Sequence, residues 1–252
     1  MTLETIAIVS DTHLASRSER IDLLSNAYDI IADRGISDVF HSGDITDGNR
    51  VYKGQEFFLK VTGADAQADY IAEHYPKREG VTTHFILGNH DMSHFDREGA
   101  DIGRLISHLR PDLDYLGQYY ARVKFGSATM DLVHPGGGFQ YAISYGVQRY
   151  VNELEGGSKA NIIIFGHWHR TGYFVYRNIH CVLGGAFQDQ NDYTRRRGLQ
   201  PNKGFWILQF DERLSVFIPK WHAYYELKDD RIVRQMSKIH KPHPKKKRGK
   251  TT

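Results

Sequence analysis

Short apolar runs and amphipathic stretches alternate along the first half of the chain. Thr5–Ser10 is apolar, β-branched and stopped by Asp11, which predicts a buried strand. Ile21, Leu24, Tyr28 and Ile31 recur at helical spacing within Glu19–Arg34, and Gly35 follows as a cap. Val39–Ser42 and Thr83–Leu87 repeat the strand pattern. Between them, Gly48–Gly63 reads as a polar and aromatic connection, and Ala64–Tyr75 as a helix ended by Pro76. One more helix is expected over Ile102–Leu109, in an otherwise weakly patterned stretch that runs to Pro111.

Beyond Pro111 the period shortens. Strands are expected at Tyr120–Phe125, Thr129–Val133, Asn161–Phe165, Tyr173–Tyr176, His180–Leu183, Phe205–Phe210 and Leu214–Ile218. A single helix interrupts them around Ile143–Leu154. Strand–helix alternation followed by hairpins places the chain in the α/β class. The last fifteen residues, Lys238–Thr252, are polar and basic, contain two prolines and are expected to be disordered. Residues 1–237 are then the folded domain.

Charge sharpens that division. The chain has 33 Lys and Arg against 30 Asp and Glu, a net of +3. Seven of the basic residues, and no acidic one, lie in the last fifteen, so the body keeps 26 basic against 30 acidic and a net of −4. An anionic partner is therefore expected of the tail more than of the body. No apolar run approaches the roughly 20 residues that a membrane-spanning helix needs. The N-terminus has no basic segment ahead of an apolar one, so neither secretion nor a membrane partner is expected. The single cysteine, Cys181, excludes an intrachain disulfide and suits a reducing cytoplasm.

Five polar clusters each follow an expected strand. They are Asp11-Thr12-His13, Gly43-Asp44-Ile45-Thr46-Asp47, Gly88-Asn89-His90-Asp91, His134, and Gly166-His167-Trp168-His169. Ligands of α/β sheets bind outside the carboxyl ends of the strands, so these five ends would converge on one crevice. Imidazole and carboxylate together suit Zn, Mn or Fe rather than a Cys-rich structural site. Asp11, His13, Asp44, Asn89, His134, His167 and His169 make seven candidate ligands, too many for one ion. With one carboxylate bridging they fill two, the arrangement that clamps both oxygens of an in-line displacement at phosphorus. His41, His74, His84, His94, His108 and His180 lie outside the clusters and read as structural or surface residues.

The order D-x-H, G-D-x-x-D, G-N-H-D, H, G-H-x-H resembles the calcineurin-like metallophosphoesterase superfamily over about residues 6–185. The resemblance implies a sandwich of two mixed sheets flanked by helices, with metals at the strand C-terminal ends. It implies that Asp11, His13, Asp44 and His169 hold one divalent metal, and that Asp44, Asn89, His134 and His167 hold the other. A hydroxide between the ions would be the nucleophile. His90 would meet the phosphate and protonate the leaving oxygen, Asp47 would pair with that histidine, and Asp91 would support the ligands from behind. Manganese is the favoured metal, with iron, zinc or nickel also admitted by these donors.

Three features bear on the substrate. Asp47-Gly48, with Tyr52 and Gln55 in a Tyr-x-x-Gln, resembles the stretch after the second motif in archaeal D-family polymerase small subunits, which are calcineurin-like 3′–5′ exonucleases. Double-strand-break repair nucleases of the superfamily usually carry His where this chain has Asp47, and Asp there is phosphatase- and phosphodiesterase-like. Two basic runs, Arg195, Arg196 and Arg197 in a Gly/Asn/Pro-rich loop and Lys245, Lys246, Lys247 and Arg248 in the tail, offer phosphate contacts. Tyr141 and Tyr145 sit four apart, which reads as a core-facing pair or a base-stacking one. Gly136–Gly138 would let the backbone approach the metals closely. The reading is a two-metal phosphodiesterase or nuclease acting on single- or double-stranded DNA. A phosphomonoesterase and a non-catalytic replication or repair subunit are the alternatives.

Overall fold

Successive residues of the first strand serve two different cores. In β1 (Leu3–Val9), Ala7 and Val9 join a cluster that faces helices, whereas Ile6 and Ile8 join one that faces a second sheet, as the two-residue period of a strand requires. The computed structural model describes residues 3–138, 142–157 and 159–225.

The chain continues through α1 (Ile21–Asp33), β2 (Asp38–His41), α2 (Ala64–His74), β3 (Thr82–Leu87), α3 (Asn89–Glu98), α4 (Ile102–Leu109) and β4 (Leu113–Gln118). A second run follows with β5 (Tyr120–Phe125), β6 (Ala128–Val133), α5 (Tyr145–Glu153), β7 (Ile162–Phe165), β8 (Thr171–Tyr176) and β9 (Ile179–Gly184). The short α6 (Asp192–Arg196) precedes β10 (Gly204–Asp211) and β11 (Val216–Ala223).

The first sheet has the order β11-β10-β1-β2-β3-β4. Its four N-terminal strands run parallel, and β10 and β11 extend it antiparallel, so the chain returns to close the edge beside β1. The second sheet, β5-β6-β7-β9-β8, is parallel at its centre and antiparallel at both edges. Ile6, Ile8, Phe40, Ile86, Met130, Leu132, Ile164 and Val182 fill the space between the sheets. Each such aliphatic side chain contributes ~1.5–3 kcal/mol by its burial. Helices α1, α2 and α4 cover the outer face of the first sheet, and α5 covers the second through Val147 and Val151. The molecule is thus a sandwich of two mixed sheets flanked by helices.

Three elements were not expected. Helix α3 buries Asp91, Met92, Ser93 and His94, three of them polar, so it carries no apolar stripe. Strand β4 buries only Leu113 at an edge of the sheet. The Arg195–Arg197 run is not a loop. Asn191 caps Thr194 through its side chain at 2.8 Å, and Arg195 and Arg196 fall within α6 while Arg197 ends it. Tyr145 is 55 % exposed and so is not core. Tyr141, the basic run Lys245–Arg248 and the 237/238 boundary lie outside the described residues.

Candidate metal centre

Backbone hydrogen bonds tie the loops after β1 and β2 together, from Asp11 N to Gly43 O at 3.1 Å and from His13 N to Asp44 O at 3.0 Å. The second sheet joins through His134, whose Nδ1 donates to the Ser42 carbonyl at 2.8 Å, and through the His167 amide, which donates to Asp11 Oδ1 at 3.0 Å. Asn89, at the start of α3, completes the ring. Its Oδ1 lies 3.1 Å from His134 Nε2 and 2.8 Å from His167 Nδ1. Five strand ends therefore deliver all seven candidate ligands to one place.

The turns that do this are sterically demanding. Asp11, His13, Asp44, His167 and His169 all have φ between 44° and 75°, a left-handed conformation that costs L-residues of order 1–3 kcal/mol each. Close packing is carried by single glycines. A Cβ on Gly43 would sit 2.3 Å from His134 Nδ1, one on Gly88 2.2 Å from Asp44 Oδ1, and one on Gly166 2.2 Å from Ser42 O. The Gly136–Gly138 run is not packed in this way, because no atom of the described residues lies within 4 Å of a Cβ built at any of the three. Gly137 instead supplies a carbonyl that accepts from His167 Nε2 at 2.5 Å.

Three ligand groups can each be spanned by one cation. They are Asp11 with His13 and His169, His13 with Asp44 and His90, and Asp44 with His134 and His167, and the ligand atoms of each group lie within 4.8 Å of one another. The ring contacts test whether such an ion fits. His13 gives its Nδ1 proton to Asp47 and His167 gives its Nε2 proton to Gly137. The remaining nitrogens turn inward bearing lone pairs. His13 Nε2 then lies 3.0 Å from His169 Nε2 and 3.7 Å from Asp44 Oδ2. Acceptors facing acceptors in a buried site are what a divalent cation satisfies, and these donors suit one.

Asp44 dominates the local field. Burial lowers the affinity of His134 for a proton, but the Asp44 charge and hydrogen bond, the Asp11 charge and the Ser42 carbonyl together outweigh it and raise that histidine to about 9. His90 is raised to about 10 against the same burial, by the Asp44 charge and then by its contact with Asp47. Its ring Nδ1 donates to the Asp47 carbonyl at 2.7 Å, with the Asp47 carboxylate 3.5 Å away, and its amide donates to Asp44 Oδ1 at 2.8 Å. Beneath the site, burial lowers His41 to about 3. It stays neutral, accepting from the Gly43 amide and donating to Thr12 Oγ1.

Asp91 touches no ligand side chain. Its carboxylate accepts from the amides of Ile45, Thr46 and Gly88 and from Thr46 Oγ1, at 2.7–3.1 Å, and so clamps the loop that bears Asp44 to the start of α3. Gln55 is a further positioning residue. It is fully buried and donates to both the carbonyl and the carboxylate of Asp47, at 2.6 and 3.1 Å. Its place in the Tyr-x-x-Gln was the available signal.

A cleft of about 270 Å³ opens over the ligands. His13, Asp44, Asn89, His90, His167 and His169 line it together with Tyr52, Tyr193 and Arg197. Tyr52 and Tyr193 stack at 4.6 Å with an interplanar angle of 19°, and the Arg197 guanidinium lies 4.4 Å from the Tyr193 ring centre. Burial, and then the Asp47 charge, push the Tyr52 phenol up, so its hydroxyl remains a neutral donor. Of the arginine triple only Arg197 reaches the cleft. Arg195 pairs with Asp192 at 3.5 Å and faces a different hollow, and Arg196 is exposed. Tyr193 was missed in the sequence, because one aromatic among charged and turn residues has no pattern to reveal it.

Residues 5–199 match the model of the calcineurin-like phosphoesterase superfamily domain. A stretch of 41 residues is 42% identical to the DNA polymerase II small subunit of Methanocaldococcus jannaschii, covering 16% of this chain and 7% of that protein. Among solved structures, a novel archaeal phosphodiesterase superposes with a TM-score of 0.50 at 13% identity, covering 86% of this chain and 99% of the other. A predicted phosphoesterase from Streptococcus pneumoniae gives 0.42 at 15% identity, covering 89% and 99%. Among the described residues no helix is long and apolar enough to cross a membrane.

Proposed function

This chain belongs to the calcineurin-like phosphoesterase superfamily, and from that premise we propose that it is a two-metal phosphodiesterase with nucleic acid, DNA above all, as its substrate class. Metal-dependent phosphoester chemistry follows from the family itself. Asp11, His13, Asp44 and His169 would hold one divalent cation and Asp44, Asn89, His134 and His167 a second, which when bound supply Lewis-acid polarisation of a phosphoryl oxygen and a more acidic water. Manganese is the favoured ion. Iron, zinc and nickel fit the same donors.

The chain's own residues supply the rest. His90 carries a proton at neutral pH. With Nδ1 engaged by Asp47, its Nε2 is the atom left to protonate a departing alkoxide. Asp47 holds His13 at 3.0 Å, so one carboxylate orients both a ligand and the acid. Asn89 presents a neutral oxygen where a third carboxylate would add repulsion.

The observation that carries the diester reading is the shared cleft. Two tyrosines and a guanidinium share it with the ligand set, and this suits a substrate that continues past its reacting phosphate. The local likeness to an archaeal polymerase subunit supports the nucleic-acid class. So do the tail lysines Lys245–Lys247 with Arg248, as a polyanion tether. The test is a panel with Mn²⁺ on bis(p-nitrophenyl) phosphate, p-nitrophenyl phosphate and labelled single- and double-stranded DNA. Cleavage of the diester and of DNA is expected. Turnover of the monoester alone would sink the proposal.

A further inference from the structure

Tyr52, Tyr193 and Arg197 line the cleft without being candidate metal ligands, yet they form a built group. Tyr52 belongs to the connection after β2, and Tyr193 and Arg197 belong to α6 and its end, so two distant segments meet in one stack. Among the described residues Arg197 has no acidic partner, unlike Arg195 two positions earlier. A guanidinium lying on an aromatic face is held in place while its N–H fork stays available. Among the described residues, two side chains of the same cleft also hold buried donors without a partner, Tyr52 at its hydroxyl and Trp168 at its indole N–H. Buried donors in native proteins are rarely left unpaired. An exposed guanidinium without an acidic partner, seated on an aromatic support in the cleft beside these residues, describes a site for an anion with several acceptor oxygens.

We propose that Arg197, braced by the Tyr52–Tyr193 stack, clamps a second, non-reacting phosphate of the substrate. The inference rests on the phosphodiesterase reading and narrows it, because the preferred substrate must carry another phosphate beside the one that reacts. The reacting phosphate has its own partners in the ligand set and His90. Arg197 lies two stacking steps of 4.6 and 4.4 Å out from Tyr52, so the clamped phosphate belongs further along the backbone. The contact is a bidentate, charge-assisted one of the kind that Arg makes and Lys does not.

The test compares kcat/KM for a single-phosphate diester, bis(p-nitrophenyl) phosphate, with that for a labelled single-stranded oligonucleotide, both with Mn²⁺. Arg197→Ala should lower oligonucleotide cleavage at least tenfold more than dye-ester cleavage, chiefly through KM. It should also flatten the log–log salt dependence by ~0.7, the value of one lost phosphate contact on a single strand. Tyr193→Ala should reproduce the loss, Tyr193→Phe should retain clamping because the ring face remains, and Arg197→Lys should recover only part. Equal losses on the two substrates, or none, would overturn the clamp while leaving the phosphodiesterase reading intact. If the wild-type protein cleaves the dye ester but no oligonucleotide, both the clamp and the nucleic-acid assignment fall.

Discussion

Oδ1 of Asp47 lies 3.0 Å from Nδ1 of His13, closer than its 3.5 Å to Nδ1 of His90. One buried carboxylate therefore serves the metal ligand first and the proton donor second. Asp47→Asn keeps an acceptor for His13 but removes the charge that helps hold a proton on His90.

The proton on His90 gives the first expectation. A raised pKa means the acid form persists from low pH upward and is lost as pH rises towards about 10. Bound cations offset part of the Asp44 charge, so the alkaline limb should fall below that value. Asp47→Asn should move the limb to still lower pH. His90→Ala should cost ~10²–10⁴-fold on substrates with poor leaving groups and less on nitrophenyl esters. Rate profiles with a matched pair of good and poor leaving groups check this, and loss of bound metal in His90→Ala would show the role to be wrong.

His134 supplies a second. Its raised value, about 9, reflects the Asp44 charge in the metal-free centre, and a cation must displace that proton. Mn²⁺ affinity should rise with pH below about 9, with protons released on binding. Calorimetry in buffers of different ionisation enthalpy reads the number released. Asp44→Ala should abolish both metal uptake and turnover.

Glycine placement gives a third. Gly88→Ala would put a methyl 2.2 Å from Asp44 Oδ1 and 2.6 Å from the Asp44 amide. A cost of about 1–3 kcal/mol in stability is expected, together with weaker metal binding. Gly136→Ala meets no atom of the described residues within 4 Å and should leave the melting temperature within a degree or so. Thermal denaturation of both variants separates the two glycine groups.

The tail gives a fourth. Removing Lys238–Thr252 should weaken binding to duplex DNA, with turnover of bis(p-nitrophenyl) phosphate maintained. If four tail charges meet phosphates, the log–log salt slope should flatten by about 3.6. Fluorescence anisotropy at several salt concentrations measures it.

What could be read in the sequence was whatever repeated. Tyr120–Phe125 alternates and Ile102–Leu109 is amphipathic, and both expectations match the observed elements. The five clusters were visible because each sits where an apolar run stops. Helix α3 escaped because its inward face is Asp91, Ser93 and His94, polar residues buried to hold loops together. The stack of Tyr193 on Tyr52 escaped because it joins residues 141 positions apart, and no local period records such a meeting. Gly43, Gly88 and Gly166 stand singly, and the contacts that require glycine there join residues far apart in the chain, so no local pattern marks them.

The left-handed backbone at Asp11, His13, Asp44, His167 and His169 has a consequence for the protein's history. Those positions hold residues that folding alone would not choose. His169, whose side chain is 17 % exposed, is the clearest case. Glycine there would adopt the same φ without penalty, and ~1 kcal/mol or more of strain would vanish. A lineage released from catalysis, and kept only for its shape, would therefore drift first at its ligands.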